Sequence, residues 1–445
     1  METFIVTGGV PLNGEVTVGG AKNVALKAFV ASILTDEEII IHNVPEIADV
    51  LSMLELLKSL GIAVTFSDHT AVIKNGNLKT STVPLEVGAR LRTSSLVMGP
   101  LLARYRKFQI PNPGGCRIGA RPIDRHIEGL QKMGAIITYH SDDGYFYGEA
   151  SSLQGSQISF VKNTHTGTEA LILAAVLAKG KTVLANAAEE VEVDDLISLL
   201  NSMGARIERI HPREIVIEGV ARLHGTEYTL MPDRNEEVTF ALAACATGGD
   251  ITVHNSSRLY LDSFYDAFHK AGGAYKEVDN TSTRYWQESP IAATDIVTRP
   301  HPGFMTDWQA PWALYMTQGS GVSTIHETVF ESRFSYVSQL RKMGAAIDFF
   351  DPAVKAPKEF YNFNWNDRVP DFHQAIRIVG PTHLHNAVLT IDDLRAGATL
   401  LLAVLTAQGE SYIHGVEQID RGYERIEERL IKLGAKISRK SEDIV

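Results

Sequence analysis

Two spacings of apolar residues alternate along this chain, and the switch between them recurs. In "LKSLGIAV" (57–64), Leu57 and Leu60 are spaced as on one face of a helix. After Gly61, Ile62 and Val64 alternate as in a strand. The phrase returns as "LQKMGAII" (130–137), "LNSMGARI" (200–207), "FHKAGGAY" (268–275), "LRKMGAAI" (340–347) and "LIKLGAKI" (430–437). Each reads as the last turn of a helix, a glycine at its C-terminal cap, and then a strand. The glycines are Gly61, Gly134, Gly204, Gly272, Gly344 and Gly434, separated by 73, 70, 68, 72 and 90 residues by difference of those numbers. Six copies in near-constant register mark an internal repeat.

The interior of each copy is also alike. An Ala/Leu-rich helix leads to a glycine and a short strand, as in "ALILAAVLAKGKTVLANA" and "ATLLLAVLTAQGESYIHGV". A second, amphipathic helix follows, such as "VDDLISLLNSMG", with Val193, Leu196, Ile197, Leu200 and Met203 on one face. Each copy therefore predicts β-α-β-α-β-β, and six copies predict two α/β domains of three units each. The apolar runs are about half of the roughly 20 residues a membrane span needs, so they read as buried helices. The long fifth interval contains "DPAVKAPKEFYNFNWNDRVPDF" (351–372), rich in proline and aromatics, which reads as an inserted surface loop.

Composition narrows the class. At 445 residues, two or three domains are expected. Apolar residues make up 44% and charged residues 21%, as in soluble globular proteins. A net charge of −11 argues against general nucleic-acid binding and confines any anion site to a local basic cluster. The opening stretch "METFIVTGGVPLNGEVTV" lacks the apolar core of a signal peptide. Cys116 and Cys245 are too far apart for a zinc spacing or a disulfide framework, so a reducing cytoplasm is expected.

One position repeats its chemistry. The first helix of each unit opens at "GGAKN" (Lys22, Asn23), "RLRTSS" (Arg92), "NTHTGT" (Thr164), "PDRNEE" (Asp233, Arg234), "MTDWQA" (Asp307) and "TIDDLRA" (Asp393, Arg395). A helix N-terminus offers free N–H groups and the positive end of the dipole, which suits anions. The dipole disfavours cations there, so Lys22, Arg92 and Arg395 need a reason, and a bound anion supplies one. Alone, Asp307 and Asp393 also fit plain N-caps, as do Asn23 and the threonines. Lys22 and Arg92 alone also fit solvated surface residues. Their recurrence at one slot favours a shared function. "IDRGYERIEERL" adds Asp420 and Arg421, with Glu424, Glu427 and Glu428 reading as a solvated helix face. "PGGCRIGARPIDRH" (113–126) places Cys116 among Gly114, Gly115, Gly119, Arg117, Arg121 and Arg125, followed by His126, which alone reads as structural.

At these residues the chain resembles the enolpyruvyl transferases, and most closely the branch that uses UDP-N-acetylglucosamine. "GGAKN", "PGGCRIGARPIDRH", "PHPGFMTDWQA", "DLRAGA" and "DRGYERIEERL" occur in the family's order over nearly the whole chain, the segment 351–372 excepted. The resemblance implies a two-domain inside-out α/β barrel, with 22–230 as one domain and 1–21 plus 231–445 as the other. It implies an active site in the cleft between them. It also implies transfer of enolpyruvate from phosphoenolpyruvate to the 3-hydroxyl of the sugar nucleotide, the first committed step of peptidoglycan precursor synthesis. No metal or other cofactor, no membrane and a monomer are implied. Cys116, Asp307, Lys22 and Arg395 would be catalytic, with Cys116 protonating the enol carbon and Asp307 taking the hydroxyl proton. Lys22, Arg92, Arg121, Arg395 and Arg421 would hold phosphoenolpyruvate. Asn23, Arg92, Arg121, Pro122, Ile123, Asp124, Lys162, Thr164, Asp307 and Val329 would hold the sugar nucleotide. A glycine-flanked, arginine-rich loop is expected to bring Cys116 to the substrate as a lid, and the arginines to favour its thiolate.

The chain departs from the family pattern in three places. Its nucleotide-side loop reads "THTGT" (164–168), with His165 where a small apolar residue is usual, and "NEEVT" (235–239) puts Val238 where glycine is usual. The third departure is the insertion. A paralogous transferase with another acceptor is therefore the alternative. A catalytically silent UDP-sugar-binding relative is a further one, but it would be expected to lose Lys22, Cys116, Asp307 or Arg395, and all four are present.

Overall fold

The computed structural model describes residues 2–76, 78–114, 122–369 and 371–441. They form two compact units: the described residues of Met1–Gly19 and Pro232–Val445 make one, and those of 20–231 make the other.

The six repeats are present as six small sheets. The third shows the plan most plainly. Gln157–Ser159 runs parallel to Lys181–Ala185, which pairs antiparallel with Glu214–Glu218, which pairs antiparallel with Arg206–His211. One helix, His165–Ala175, joins the first two strands, and another, Val191–Ser202, joins the second to the third. This is β-α-β-α-β-β. Five of the sheets have four strands. Among the described residues the second repeat has three, with an isolated parallel bridge from Thr82 to Gln109 in the fourth place.

Helices lie inside and sheets outside. The first helices of the repeats are buried almost throughout, polar residues included, as in Lys22–Ala31, Arg234–Ala246 and Leu394–Thr406. In the unit holding the C-terminus, Arg234–Ala246, Gln309–Thr317 and Leu394–Thr406 pack against one another. The second helices bury one face only, as Asp262–Lys270 does through Phe264, Tyr265, Ala267 and Phe268.

The recurring glycine has one conformation everywhere. Gly61, Gly134, Gly204, Gly272, Gly344 and Gly434 all have φ between 85° and 102°. In five repeats the next N–H reaches back to a carbonyl in the last helical turn, as Ala135 N does to Leu130 O at 3.0 Å. A β-carbon is disfavoured at that φ. At Gly134 it would have space, since the nearest atom, Ser152 O, is 3.9 Å away. Gly134→Ala is therefore expected to lower stability by ~1–2 kcal/mol through backbone strain alone. Chemical denaturation checks this, and unchanged stability would show that the cap conformation is not what selects glycine.

Three strands are supplied from far along the chain. Repeat one is completed by Thr226–Thr229, parallel to Glu38–His42. Repeat four is completed by Asn13–Thr17, parallel to Asp250–His254. In repeat six, Glu2–Gly8 sits between Gly409–His414 and Lys436–Ser441, antiparallel to both.

Two expectations need correction. Glu427 is not on a solvated face: its side chain is 13% exposed and lies 3.1 Å from Arg439, which also pairs with Glu2 and Asp420. Nor is the segment 351–372 wholly a surface loop, because Tyr361 and Phe363 are buried.

Candidate active site

In the unit holding the C-terminus, three first helices open with an aspartate, and one of the three behaves differently. Asp233 caps its helix, with Oδ1 accepting from Asn235 N at 2.8 Å and Glu236 N at 3.2 Å. Asp393 does the same for Arg395 N at 3.1 Å and Ala396 N at 3.0 Å. Asp307 is no cap. It sits in the 3-10 turn Thr306–Trp308, which has no side-chain cap bond. Its Oδ1 instead accepts from Arg333 Nη2 at 2.6 Å and lies 3.7 Å from Arg395 Nε.

Both arginines are buried. Burial works against the charge of Arg395, but the Tyr423 hydroxyl, Asp307 and Asp233 outweigh it and hold the guanidinium's pKa above its ordinary value. Arg395 Nη1 donates to Tyr423 Oη at 2.8 Å, and that oxygen is 2.8 Å from Thr239 Oγ1. Arg333 is likewise held charged against burial by Asp307, Asp393 and Glu327. It also donates to Thr306 Oγ1 and Thr306 O, fixing the turn that carries Asp307. Arg421 lies two residues before Tyr423, half-buried, with Nη1 3.4 Å from Gln418 Oε1. Val329 is half-buried, and its N–H donates to Glu327 Oε1 at 2.7 Å.

In the other unit, Lys22 opens its helix with no side-chain cap. It is not a solvated residue. Its side chain is 11% exposed, and Nζ lies 2.8 Å from Asp49 Oδ2. That carboxylate offsets the dipole's penalty for a cation. Asn23 beside it is half-buried. Arg92 opens the 3-10 turn Arg92–Val97 and is half-buried. Its charge, with burial as the larger cause, pushes His126 down to about 3, so that imidazole is neutral. Pro122 is exposed, Ile123 buried and Asp124 half-buried at the start of the helix Asp124–Lys132. Lys162 is half-buried. Thr164 is a cap, accepting from Gly167 N at 3.2 Å. Cys116 and Arg121 lie outside the described residues.

His165 belongs to a buried network. Glu169, fully buried, lies 3.1 Å from His165 Nε2 and 3.2 Å from Lys27 Nζ. Burial opposes a charged imidazole, yet Glu169 outweighs it and the His165 pKa is raised.

Sequence reasoning missed Asp49, Arg333, Glu327 and Tyr423. None sits at the repeated slot, and no spacing marks them. Lys27 and Glu169 did leave a signal. Each is a charge inside an apolar helical run, "VALKAFVA" and "TEALILAA", so each required a buried partner.

Comparison with known proteins places the chain. The family model described as EPSP synthase (3-phosphoshikimate 1-carboxyvinyltransferase) matches residues 6–430. The chain belongs to the EPSP synthase family. Among its family relatives, a UDP-N-acetylglucosamine 1-carboxyvinyltransferase of Acidobacterium capsulatum is 42% identical over 99% of this chain and 96% of that one. Another of that name, from Magnetococcus marinus, is 42% identical over 99% of both. The crystal structure of the enolpyruvyl transferase NikO from Streptomyces tendae superposes with a TM-score of 0.86 at 21% identity, covering 99% of each chain. An EPSP synthase structure from Acinetobacter baumannii gives 0.73 at 17% identity, covering 99% of this chain and 100% of that one. These two likenesses establish the EPSP synthase fold: two units, each with three repeats of helices inside sheets.

Proposed function

We infer that this protein transfers the enolpyruvyl group of phosphoenolpyruvate to the 3-hydroxyl of UDP-N-acetylglucosamine and releases phosphate. The observation that carries this reading is the end-to-end match, at 42% identity, to relatives named for that transfer. The buried arginines around Asp307 support it.

Phosphoenolpyruvate is an anion at both ends, so its site must be cationic. Lys22, Arg92, Arg121, Arg395 and Arg421 hold its phosphate and carboxylate, and planar guanidinium groups suit such two-pronged contacts. Cys116 gives a proton to C3 of the enol as the sugar oxygen bonds to C2, and Asp307 takes the hydroxyl proton. The tetrahedral phospho-ketal then loses a proton from its new methyl group, the C2–O bond to phosphate breaks, and the double bond re-forms. Lys22 and Arg395 stabilise the phosphate charge through both steps. Asn23, Pro122, Ile123, Asp124, Lys162, Thr164 and Val329, with Arg92, Arg121 and Asp307, hold the sugar nucleotide. The product feeds peptidoglycan synthesis, and through it cell shape and division. The protein works in the cytoplasm, as a monomer.

Phosphate release is expected only when both phosphoenolpyruvate and UDP-N-acetylglucosamine are present. It is expected to survive chelation, because cationic side chains supply the charge neutralisation. The assay is run against a panel of UDP-sugars. His165 in the nucleotide-side loop favours transfer to a different acceptor as the second reading. Release with another sugar nucleotide and none with UDP-N-acetylglucosamine would establish that reading instead.

A further inference from the structure

The segment 351–372, within the long fifth interval, joins the strands Ala346–Phe350 and Ala375–Gly380. Its base is closed. Asp351 Oδ1 accepts from Gln374 N at 3.1 Å, and Oδ2 lies 3.1 Å from His373 Nδ1. Between these ends the segment is held down by its rings, with Tyr361 only 1% exposed.

What it is held against is a short stretch around His326 and Thr328. Tyr361 Oη lies 3.0 Å from His326 Nε2, and Phe360 stacks on the His326 ring at 5.2 Å. Asn362 N donates to Thr328 O at 2.8 Å. The outer side is reinforced by cation–π contacts: Arg299 lies over Phe360 at 4.3 Å and Arg368 over Trp365 at 4.1 Å. Trp365 in turn stacks on Tyr361 at 4.6 Å.

The same stretch is also tied to Thr298, through Thr328, and to the turn that carries Asp307. Glu327 Oε1 accepts from Val329 N at 2.7 Å and Phe330 N at 3.1 Å, while Oε2 accepts from Thr306 Oγ1 at 2.8 Å. The stretch is thus tied both to the Asp307 turn and to an aromatic strap.

We propose that the strap 351–372 is a positioning element for the acceptor: it sets sugar-nucleotide affinity by holding His326 and Thr328, and through them the path of the chain into Val329. This rests on the functional reading above, in which Val329 meets the sugar nucleotide. A segment already ordered loses less conformational freedom when the ligand arrives, so affinity is higher. The strap supplies none of the groups assigned above to the chemistry. Its loss weakens ground-state and transition-state binding of the acceptor alike, which raises the acceptor KM and leaves kcat in place.

Three variants test this. Tyr361→Ala removes the anchor, and Tyr361→Phe keeps the stack but loses the hydroxyl contact with His326. In the third, residues 353–370 are replaced by a short Gly-Ser linker between the closed ends. KM is measured for UDP-N-acetylglucosamine and for phosphoenolpyruvate separately, with kcat and thermal unfolding. In Tyr361→Ala and the linker variant the acceptor KM rises about tenfold, while the phosphoenolpyruvate KM and kcat stay within about twofold. Tyr361→Phe shows a smaller rise. If Tyr361→Ala does not fold, the other two decide. An acceptor KM unchanged in the linker variant overturns the proposal. A parallel loss in both KM values and kcat also overturns it, because that marks a general structural role. Wild-type protein inactive with UDP-N-acetylglucosamine would sink the functional reading itself, and this inference with it.

Discussion

Replacing Asp307 by Ala or Asn is expected to lower kcat by ~10²–10⁴-fold, the usual loss when a positioned proton acceptor is removed. The two variants separate the roles open to this residue. Asp307 does not cap its helix, so the ~1 kcal/mol typical of a lost N-cap does not apply. What the structure gives it is orientation, through Arg333 at 2.6 Å and Arg395 at 3.7 Å. Asp307→Asn keeps the size and one acceptor oxygen but removes the basic carboxylate. Steady-state turnover at saturating substrates, with thermal unfolding as a control, checks the result. Near-wild-type turnover in Asp307→Asn would show that the carboxylate only orients its arginines. A fall in turnover that tracks a fall in melting temperature would assign the effect to folding, since removing one partner of a buried pair can cost several kcal/mol.

A phosphonate epoxide such as fosfomycin, which the family resemblance directs to Cys116, is expected to inactivate the protein with one adduct per chain. The thiolate opens the epoxide: a C–S bond forms, a C–O bond breaks, and the released oxygen takes up a proton. Selectivity follows from the other thiol. Cys245 is 2% exposed within the apolar helix Arg234–Ala246, and burial pushes its pKa far above the ordinary thiol value. It supplies almost no thiolate at neutral pH. Intact mass and peptide mapping read the outcome, with Cys116→Ser as the variant that takes no adduct. Inactivation is expected to be faster with the sugar nucleotide present. An adduct on Cys245, no adduct at all, or a rate indifferent to both substrates would remove Cys116 from the proposed chemistry.

The repeat was legible in the sequence because its signal is local. A helix that ends at a glycine with positive φ and turns into a strand is specified within about eight residues, and "LKSLGIAV" and its five relatives carry it whole. The slot at the start of each first helix was legible for the same reason, since one repeated frame makes Lys22, Arg92, Asp307 and Asp393 comparable. The apolar runs marked the inner helices, because residues buried on every side leave no polar stripe.

The slot did not say what its residues do. Asp307 and Asp393 open equivalent helices, yet one pairs with arginines and the other caps backbone. Their local sequences permit both. The choice lies with Arg333, a residue 26 positions on from Asp307 that only the folded chain brings near. Lys22 taken alone also fitted a solvated residue, and its partner Asp49 comes from the next helix.

Strand exchange was hidden from the local pattern, although the family resemblance already joined 1–21 to 231–445. Glu2–Gly8, Asn13–Thr17 and Thr226–Thr229 read as ordinary strands, and a strand's pattern says which face is buried but not which edge it joins. The segment 351–372 announced its aromatics and not their target. Local pattern specifies what each segment forms and where the charged slot recurs. Which distant partners meet there follows only from the fold, because pairing energies depend on separation in space and the chain records only separation along itself.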